Sequence, residues 1–287
     1  MSSRTGRAYL AKTTLEVMEV GQYVNPRGET VAITAEMAAC NAGSACFEPE
    51  TLTEMRDEVL RTPAPFTETA FQLENETTLE GAWSLAADAT TGRIGVLNFA
   101  SAKNPGGGFL GGSQAQEESL ARSSALYASL NLFHKQYYET HRRLRSAFYS
   151  DRMIYSPACP VFRDDAGSFL KSSYQVDFLT SAAPNAGAIQ KNEPVHVSEI
   201  PQVFMARMDK TLALFAAQGC QTLVLGAWGC GVFRNSPDLV ARLFSEFLQS
   251  GGPYFGRFKQ IRFSVLDRSE EKPILRAFTN YFARSSV

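Results

Sequence analysis

The sequence predicts an α/β protein with helices on both faces of a largely parallel or mixed sheet. Three observations carry that prediction. Short apolar runs alternate with stretches of helical apolar spacing through the C-terminal three-quarters of the 287-residue chain. Two of those runs, Ile94–Phe99 and Thr222–Leu225, each lead into a glycine-rich loop and then a helix start, the arrangement of folds that bind ligands at the carboxyl ends of their strands. The composition, 44% hydrophobic and 20% charged, is that of an ordinary globular protein with a sizeable core.

Taken in order, Leu10, Thr13, Thr14, Val17 and Met18 lie at helical spacing ahead of Gly21 and predict an amphipathic helix over residues 3–20. Asn25-Pro26-Arg27-Gly28 turns the chain into a short strand at Val31 to Ile33. Residues 35–65 mix Ala, Glu, Thr and Pro and predict short helices and loops. Residues 1–70 are therefore expected to be a mainly helical extension packed on a main domain of residues 71–287. In that domain Phe71, Leu73 and Asn75 alternate as in a strand, and Thr77 or Thr78 caps a helix reaching Ala87. Beyond the first glycine loop, helical spacing from Leu120 through Leu130, Phe133 and Tyr137 predicts a long helix, continuous or broken, to about Ala147. Met153 to Ser156 and Gln175 to Leu179 read as strands. Cys159 to Ser172 reads as a loop or small hairpin, and APNAGAIQKNEP as a long connection. Val203, Phe204, Met208, Leu212 and Phe215 mark a helix stopped by Gly219. Ser236-Pro237 caps another. Ile261, Phe263 and Val265 form the last strand, and Lys272 to Phe282 the last helix.

The stretch around which the chain is organised is IGVLNFASAKNPGGGFLGGSQAQEESLARSSALYASL, residues 94–130. A buried strand runs into Gly106, Gly107 and Gly108, then Gly111 and Gly112, and a helix opens at Gln116-Glu117-Glu118. So many glycines outside any low-complexity tract require positive φ or a close backbone approach. Gly106, Gly108 and Gly111 also satisfy G-x-G-x-x-G, the dinucleotide fingerprint of nicotinamide-dependent oxidoreductases. Its context is wrong, because the loop ASAKNP separates strand from glycine and the ribose-binding acid expected about 20 residues on would fall inside a helix. Bare amides in this loop, and in the second loop Gly226 to Phe233, suit the diphosphate of a ligand.

Three glycines, a short spacer and Gln-Glu-Glu resemble the signature of the poly(ADP-ribose) glycohydrolases. Asn98-Phe99-Ala100, Lys103-Asn104-Pro105 and the second glycine loop are similar to the bacterial-type branch of that family. The resemblance runs in motifs from Val96 to Phe233. It implies a macrodomain-like three-layer α/β/α sandwich with a mixed sheet, and hydrolysis of the ribose–ribose O-glycosidic bond of poly(ADP-ribose), free or on ADP-ribosylated proteins, with ADP-ribose as product. By the same resemblance Glu118 is the general acid/base, Glu117 positions the ribose hydroxyls, and Gln116 fixes the loop. Asn104 is a ribose ligand and Asn98 a second candidate for that role, although Asn104-Pro105 also reads as a plain turn. Gly106, Gly107 and Gly108, with Gly229, Cys230, Gly231 and Val232, are expected around the ligand. Phe109 and Phe233 are expected to cover it, the alternative being ordinary core. A side chain at Gly231 is expected to block the phosphate or forbid the loop's φ. A proton donor at a helix start works against the dipole, so burial beside the anionic diphosphate must outweigh it. Neighbours in a helix cannot face the same way, so Glu117 and Glu118 need different tasks. That carboxylate pair argues against the other reading, a macrodomain that binds ADP-ribose without cleaving it.

The remaining features bound the function. A net charge of -1 gives no footprint for nucleic acid, and no apolar stretch approaches membrane-spanning length. The N-terminus MSSRTGRAYL lacks a signal core. The 5 cysteines are odd in number and lack a C-x-x-C pair, so they read as reduced thiols in a cytoplasmic protein. Cys230 has no partner histidine and reads as a small loop residue. His134, His141 and His196 lack carboxylates or cysteines at ligand spacing, so no metal and no cofactor is expected. Arg142, Arg143 and Arg145 read as a solvated helix end, and Asp164-Asp165 as a turn.

Overall fold

The computed structural model describes residues 3–282. Helix α1 (Arg4–Val20) begins at Ser3, whose hydroxyl accepts the Gly6 N–H, and ends at Gly21 with φ of 74°. A hairpin, β1 (Gln22–Val24) and β2 (Thr30–Ala32), leads to α2 (Thr34–Gly43), β3 (Ala45–Phe47) and α3 (Pro49–Arg61). Then come β4 (Ala70–Glu74), α4 (Thr78–Ala86) and β5 (Ile94–Phe99). Thr77 and Glu80 form a capping box that fixes the start of α4.

After the first glycine loop, α5 (Gln116–Ser123) and α6 (Leu126–Asn131) are separate helices. The long helix breaks because Ser124 is extended and pairs with Val161, its hydroxyl turning back to the Leu120 carbonyl at 2.7 Å. A π-helical turn, His134–Glu139, leads into α7 (Thr140–Arg143). The stretch from Cys159 to Ser172, expected as a loop or small hairpin, is the closed end of a longer hairpin. β6 (Met153–Arg163) and β7 (Phe169–Ser181) form one long hairpin with irregular register at Ser156/Cys159 and Val161/Arg163. The Asp177 carboxylate accepts the Ala158 N–H at 2.7 Å, which satisfies the donor that the half-buried bulge takes out of the ladder. Pro157 and Pro160 interrupt the alternation from which a strand is read. The connection after β7 contains α8 (Ala186–Asn192), capped by Asn185. It is followed by α9 (Ile200–Ala217), β8 (Thr222–Leu225), α10 (Pro237–Leu248), β9 (Gln260–Ser264) and α11 (Pro273–Phe282).

Seven strands form one sheet in the order β3-β6-β7-β5-β8-β9-β4. The run from β7 to β4 is parallel, and β3 and β6 are antiparallel additions. Residues before 71 thus supply an edge strand of the main sheet as well as helices. Alternate residues of the central strands face opposite layers. Leu97, Leu179, Leu223 and Phe263 pack with α3, α9, α10 and α11, while Val96, Phe178 and Val224 pack with α1, α2, α4, α5 and α6. The result is a three-layer α/β/α sandwich. Because both faces are covered, β5 and β8 are buried and nearly all apolar. After β5 the chain moves to the β6–β7 side, and after β8 to the β9 side. The crevice at their carboxyl ends is a topological switch point.

Candidate active site

Gln116 ties the first helix start to the strand beneath it. Its Nε2 donates to the Leu97 carbonyl at 2.7 Å and to the Thr78 hydroxyl at 3.2 Å, and its Oε1 accepts the Phe99 N–H at 2.9 Å. With α5 so anchored, successive residues diverge by about 100° around the axis. Glu117 turns inward and is buried. Its carboxylate accepts the Ser101 N–H at 2.6 Å and the Asn98 amide at 3.4 Å. Burial pushes this carboxyl well above the ordinary glutamate range, with Glu118 adding to the rise, while the Ser101 N–H and the Asn98 amide pull it back. Glu118 turns the other way and is half-buried, and its Oε1 accepts the Gly108 N–H at 3.0 Å.

Both carboxylates border a cavity of about 510 Å³ at the carboxyl edge of the sheet. Its walls come from the β4–α4 corner (Glu76, Thr77, Thr78), the end of β5 (Phe99 to Ser101), the start of α5, the second glycine loop from Ala227 to Phe233, and the end of β9 (Ser264 to Leu266). Arg7, Asp165 and Arg268 complete the rim. In the second loop Trp228 is buried, donates its indole N–H to the Ser181 carbonyl at 3.1 Å and stands edge-on to Phe204. Gly229 has φ of 73°, and Asn235 donates to the carbonyls of Pro184 and Gly229 at 2.8 and 3.1 Å. These bonds hold the loop on its inner side, and its other side lines the cavity.

The family model of the microbial-type PARG catalytic domain matches residues 11–164, over half of the chain. The chain belongs to the microbial-type poly(ADP-ribose) glycohydrolases. Among solved structures it is similar to the Thermomonospora curvata enzyme bound to the inhibitor ADP-HPD, at 44% identity and a TM-score of 0.90, covering 97% of this chain and 100% of that one. It is also similar to the Deinococcus radiodurans enzyme in complex with ADP-ribose, at 43% identity and a TM-score of 0.81, covering 86% of this chain and 97% of that one. No curated protein matches the sequence.

Of the residues expected at this glycohydrolase site, Gln116, Glu117, Glu118, Gly229, Cys230, Gly231, Val232 and Phe233 line the cavity. Others stand behind it. Phe109 is fully buried against Ala11, Ala121 and Tyr127, ring centroids 4.8 Å apart for the aromatic pair, so it is core and covers no ligand. Asn98 is also fully buried. It is held by Thr180 at 3.0 Å and turned to Glu117, which makes it a support of that carboxylate and not a ribose ligand. Asn104 is exposed beyond the cavity wall, with its side-chain amide oxygen 3.5 Å from the Arg142 guanidinium.

Gly106, Gly107 and Gly108 form the floor under the glutamates. A Cβ on Gly106 would meet Phe109 at 2.9 Å, and Gly106 and Gly107 have φ of 64° and 61°. This close approach also disposes of the dinucleotide fingerprint, since these glycines serve protein carboxylates and rings. Gly231 has no positive φ, and a Cβ there would meet nothing within 4 Å, so only obstruction of the ligand remains of the two effects expected. Gly229 is the conformationally demanding residue. Burial pushes the Cys230 thiol up to about 12, which keeps it an inert wall residue.

Reading the chain for motifs missed Ser264 to Leu266, although the carboxyl-end rule used for β5 and β8 applies equally to β9. It read Thr78 only as a helix start. Arg7 and Asp165 come from distant elements and carry no local signal.

Proposed function

We propose that this glycohydrolase cleaves the ribose–ribose bond of poly(ADP-ribose) with Glu118 as general acid/base and Glu117 as the residue that positions the ribose. The observation that carries the proposal is the divergence of the two neighbouring carboxylates at one cavity, Glu117 fixed by Ser101 and Asn98, Glu118 at the wall on the Gly108 N–H. Glu118 protonates the departing ribose oxygen as the anomeric carbon gains oxocarbenium character. It then takes the proton of the attacking water. Burial pushes the Glu117 carboxyl well above the ordinary glutamate range, which favours the form that repels an anionic ligand least. The second glycine loop holds the diphosphate, which lies close enough to the anomeric carbon to favour its developing charge. Phe233 packs on the ribose or diphosphate.

The product, ADP-ribose, is the molecule bound in the Deinococcus radiodurans structure. Residues 1–70 act as an extension on the catalytic domain of residues 71–287, α1 bracing the first glycine loop through Arg4 and Arg7 to the Gly111 and Gly112 carbonyls. We place the enzyme in the cytoplasm, a reading supported by five free cysteines. No helix among the described residues is long and apolar enough to cross a membrane.

Radiolabelled polymer provides the test. Glu118→Gln should abolish release of ADP-ribose while ADP-ribose affinity stays within a few-fold, because the amide keeps the shape and loses the proton. Undiminished release by the folded variant would overturn the assignment.

A further inference from the structure

We infer that Tyr149, which does not line the cavity, is a positioning residue that sets the Phe233 ring against the bound ligand. Four described non-glycine residues have positive φ, and two of them meet at Phe233: Tyr149, at 59°, against its ring, and Arg234, at 58°, next to it in the chain. A bulky aromatic in this region is disfavoured and persists only where its surroundings over-determine it.

Those surroundings are visible on both sides of Tyr149. On one side the Glu193 carboxylate accepts the Ser146 hydroxyl at 2.6 Å and the Ala147 N–H at 2.7 Å, and the Ala147 carbonyl accepts the Asn185 N–H at 2.9 Å. On the other, Ser150 and the buried His141 are joined at 2.8 Å. The start of α8 links this segment to the second glycine loop, because Gly187, two residues after Asn185, donates its N–H to the Phe233 carbonyl at 2.9 Å. The rings complete the link. Tyr137 meets His141 at 4.5 Å, His141 meets Tyr149 at 6.0 Å, and Tyr149 meets Phe233 at 6.1 Å.

Phe233 is thus fixed at its carbonyl by α8 and at its ring by Tyr149, whose own backbone is tethered on both sides. This inference rests on the reading that Phe233 packs on ADP-ribose. No hydrogen bond holds the Tyr149 hydroxyl among the described residues, so the ring alone carries the effect.

The test compares four variants by thermal melting, calorimetric titration with ADP-ribose and initial rates on polymer. Tyr149→Asn and Tyr149→Gly both accept a left-handed backbone, so the melting temperature should hold or rise. ADP-ribose binding should nevertheless weaken roughly three- to ten-fold, the worth of one aromatic pair, with the loss in KM more than in kcat. Tyr149→Phe should keep wild-type affinity. Phe233→Ala should weaken binding at least as much as Tyr149→Asn. Unchanged affinity in both Tyr149→Asn and Tyr149→Gly, with Phe233→Ala impaired, overturns the role of Tyr149. Unchanged affinity in Phe233→Ala overturns the reading of the loop itself.

Discussion

Gly107 lies directly beneath Glu118: a Cβ on that glycine would stand 2.4 Å from the Glu118 Oε1, the atom that accepts the Gly108 N–H at 3.0 Å. Backbone and carboxylate share a space in which no side chain fits. The glycines of the signature therefore act on the proposed acid at least as much as on any ligand.

The first prediction follows from that contact. Gly107→Ala must leave φ of 61° or push the Glu118 carboxylate aside. Misplacement of a reacting group by about 1 Å costs on the order of 100-fold in rate. Polymer turnover should fall by about that factor while ADP-ribose titration shows a much smaller change. Equal turnover would mean that Glu118 works from another position.

A second prediction concerns pH and Glu117. Its carboxyl is raised, first by burial, so the native state holds the proton where the unfolded chain, near 4.3, has lost it. Stability from this group is complete below that value and declines as pH rises above it. Glu117→Gln removes the decline. The variant should match wild type in melting temperature near pH 4 and exceed it increasingly toward pH 8, although turnover is badly impaired. A variant that melts lower than wild type at pH 8 would show the anion to be the favoured form, held by Ser101 and Asn98.

The second loop separates ligand effects from folding effects. At Gly229, with φ of 73°, a Cβ would lie 2.6 Å from Asn235 Nδ2 and 2.7 Å from Ala183 Cβ. Gly229→Ala should lower stability by roughly 1–3 kcal/mol, the usual size of such backbone strain. Gly231→Val should melt like wild type yet weaken ADP-ribose binding, and weaken AMP binding less, since AMP lacks the second phosphate. Calorimetric titration of both ligands decides this; equal ADP-ribose affinity in Gly231→Val would place the diphosphate elsewhere.

The last prediction concerns α1. Arg4 and Arg7 donate to the carbonyls of Gly111 and Gly112 at 3.0 and 2.8 Å, and a Cβ on Gly112 would lie 2.1 Å from the Arg4 carbonyl oxygen. Arg4→Ala combined with Arg7→Ala should free the segment between the triple glycine and Glu118. The expected result is a fall in kcat on polymer of up to about thirty-fold, from two lost hydrogen bonds of about 1 kcal/mol each, with the circular dichroism spectrum retained. An unaltered kcat would make α1 a packing element only.

The sequence alone determined the periodic elements and the chemistry written in contiguous motifs. Buried runs such as Leu223 to Leu225, caps such as Thr77 and Ser236, and the order glycine loop, Gln-Glu-Glu, second glycine loop all depend on neighbours in the chain. They are legible because backbone geometry and local hydrogen bonds are short-range. That Glu117 and Glu118 must differ also followed from helix geometry. Which of them would be buried did not, because burial depends on Asn98 of β5, Thr180 of β7 and the Ser101 amide meeting at one point. Phe109 and Phe233 look alike beside their glycines, yet only the packing of Ala11 and Tyr127 makes the first core, while Tyr149 leaves the second at the cavity. Parts of β6 and β7 read as strands, but the continuation of β6 past Ser156 is obscured by prolines and a bulge that the Asp177 carboxylate makes tolerable. Contacts between residues far apart in the chain are set by how the layers stack, and no local pattern encodes them.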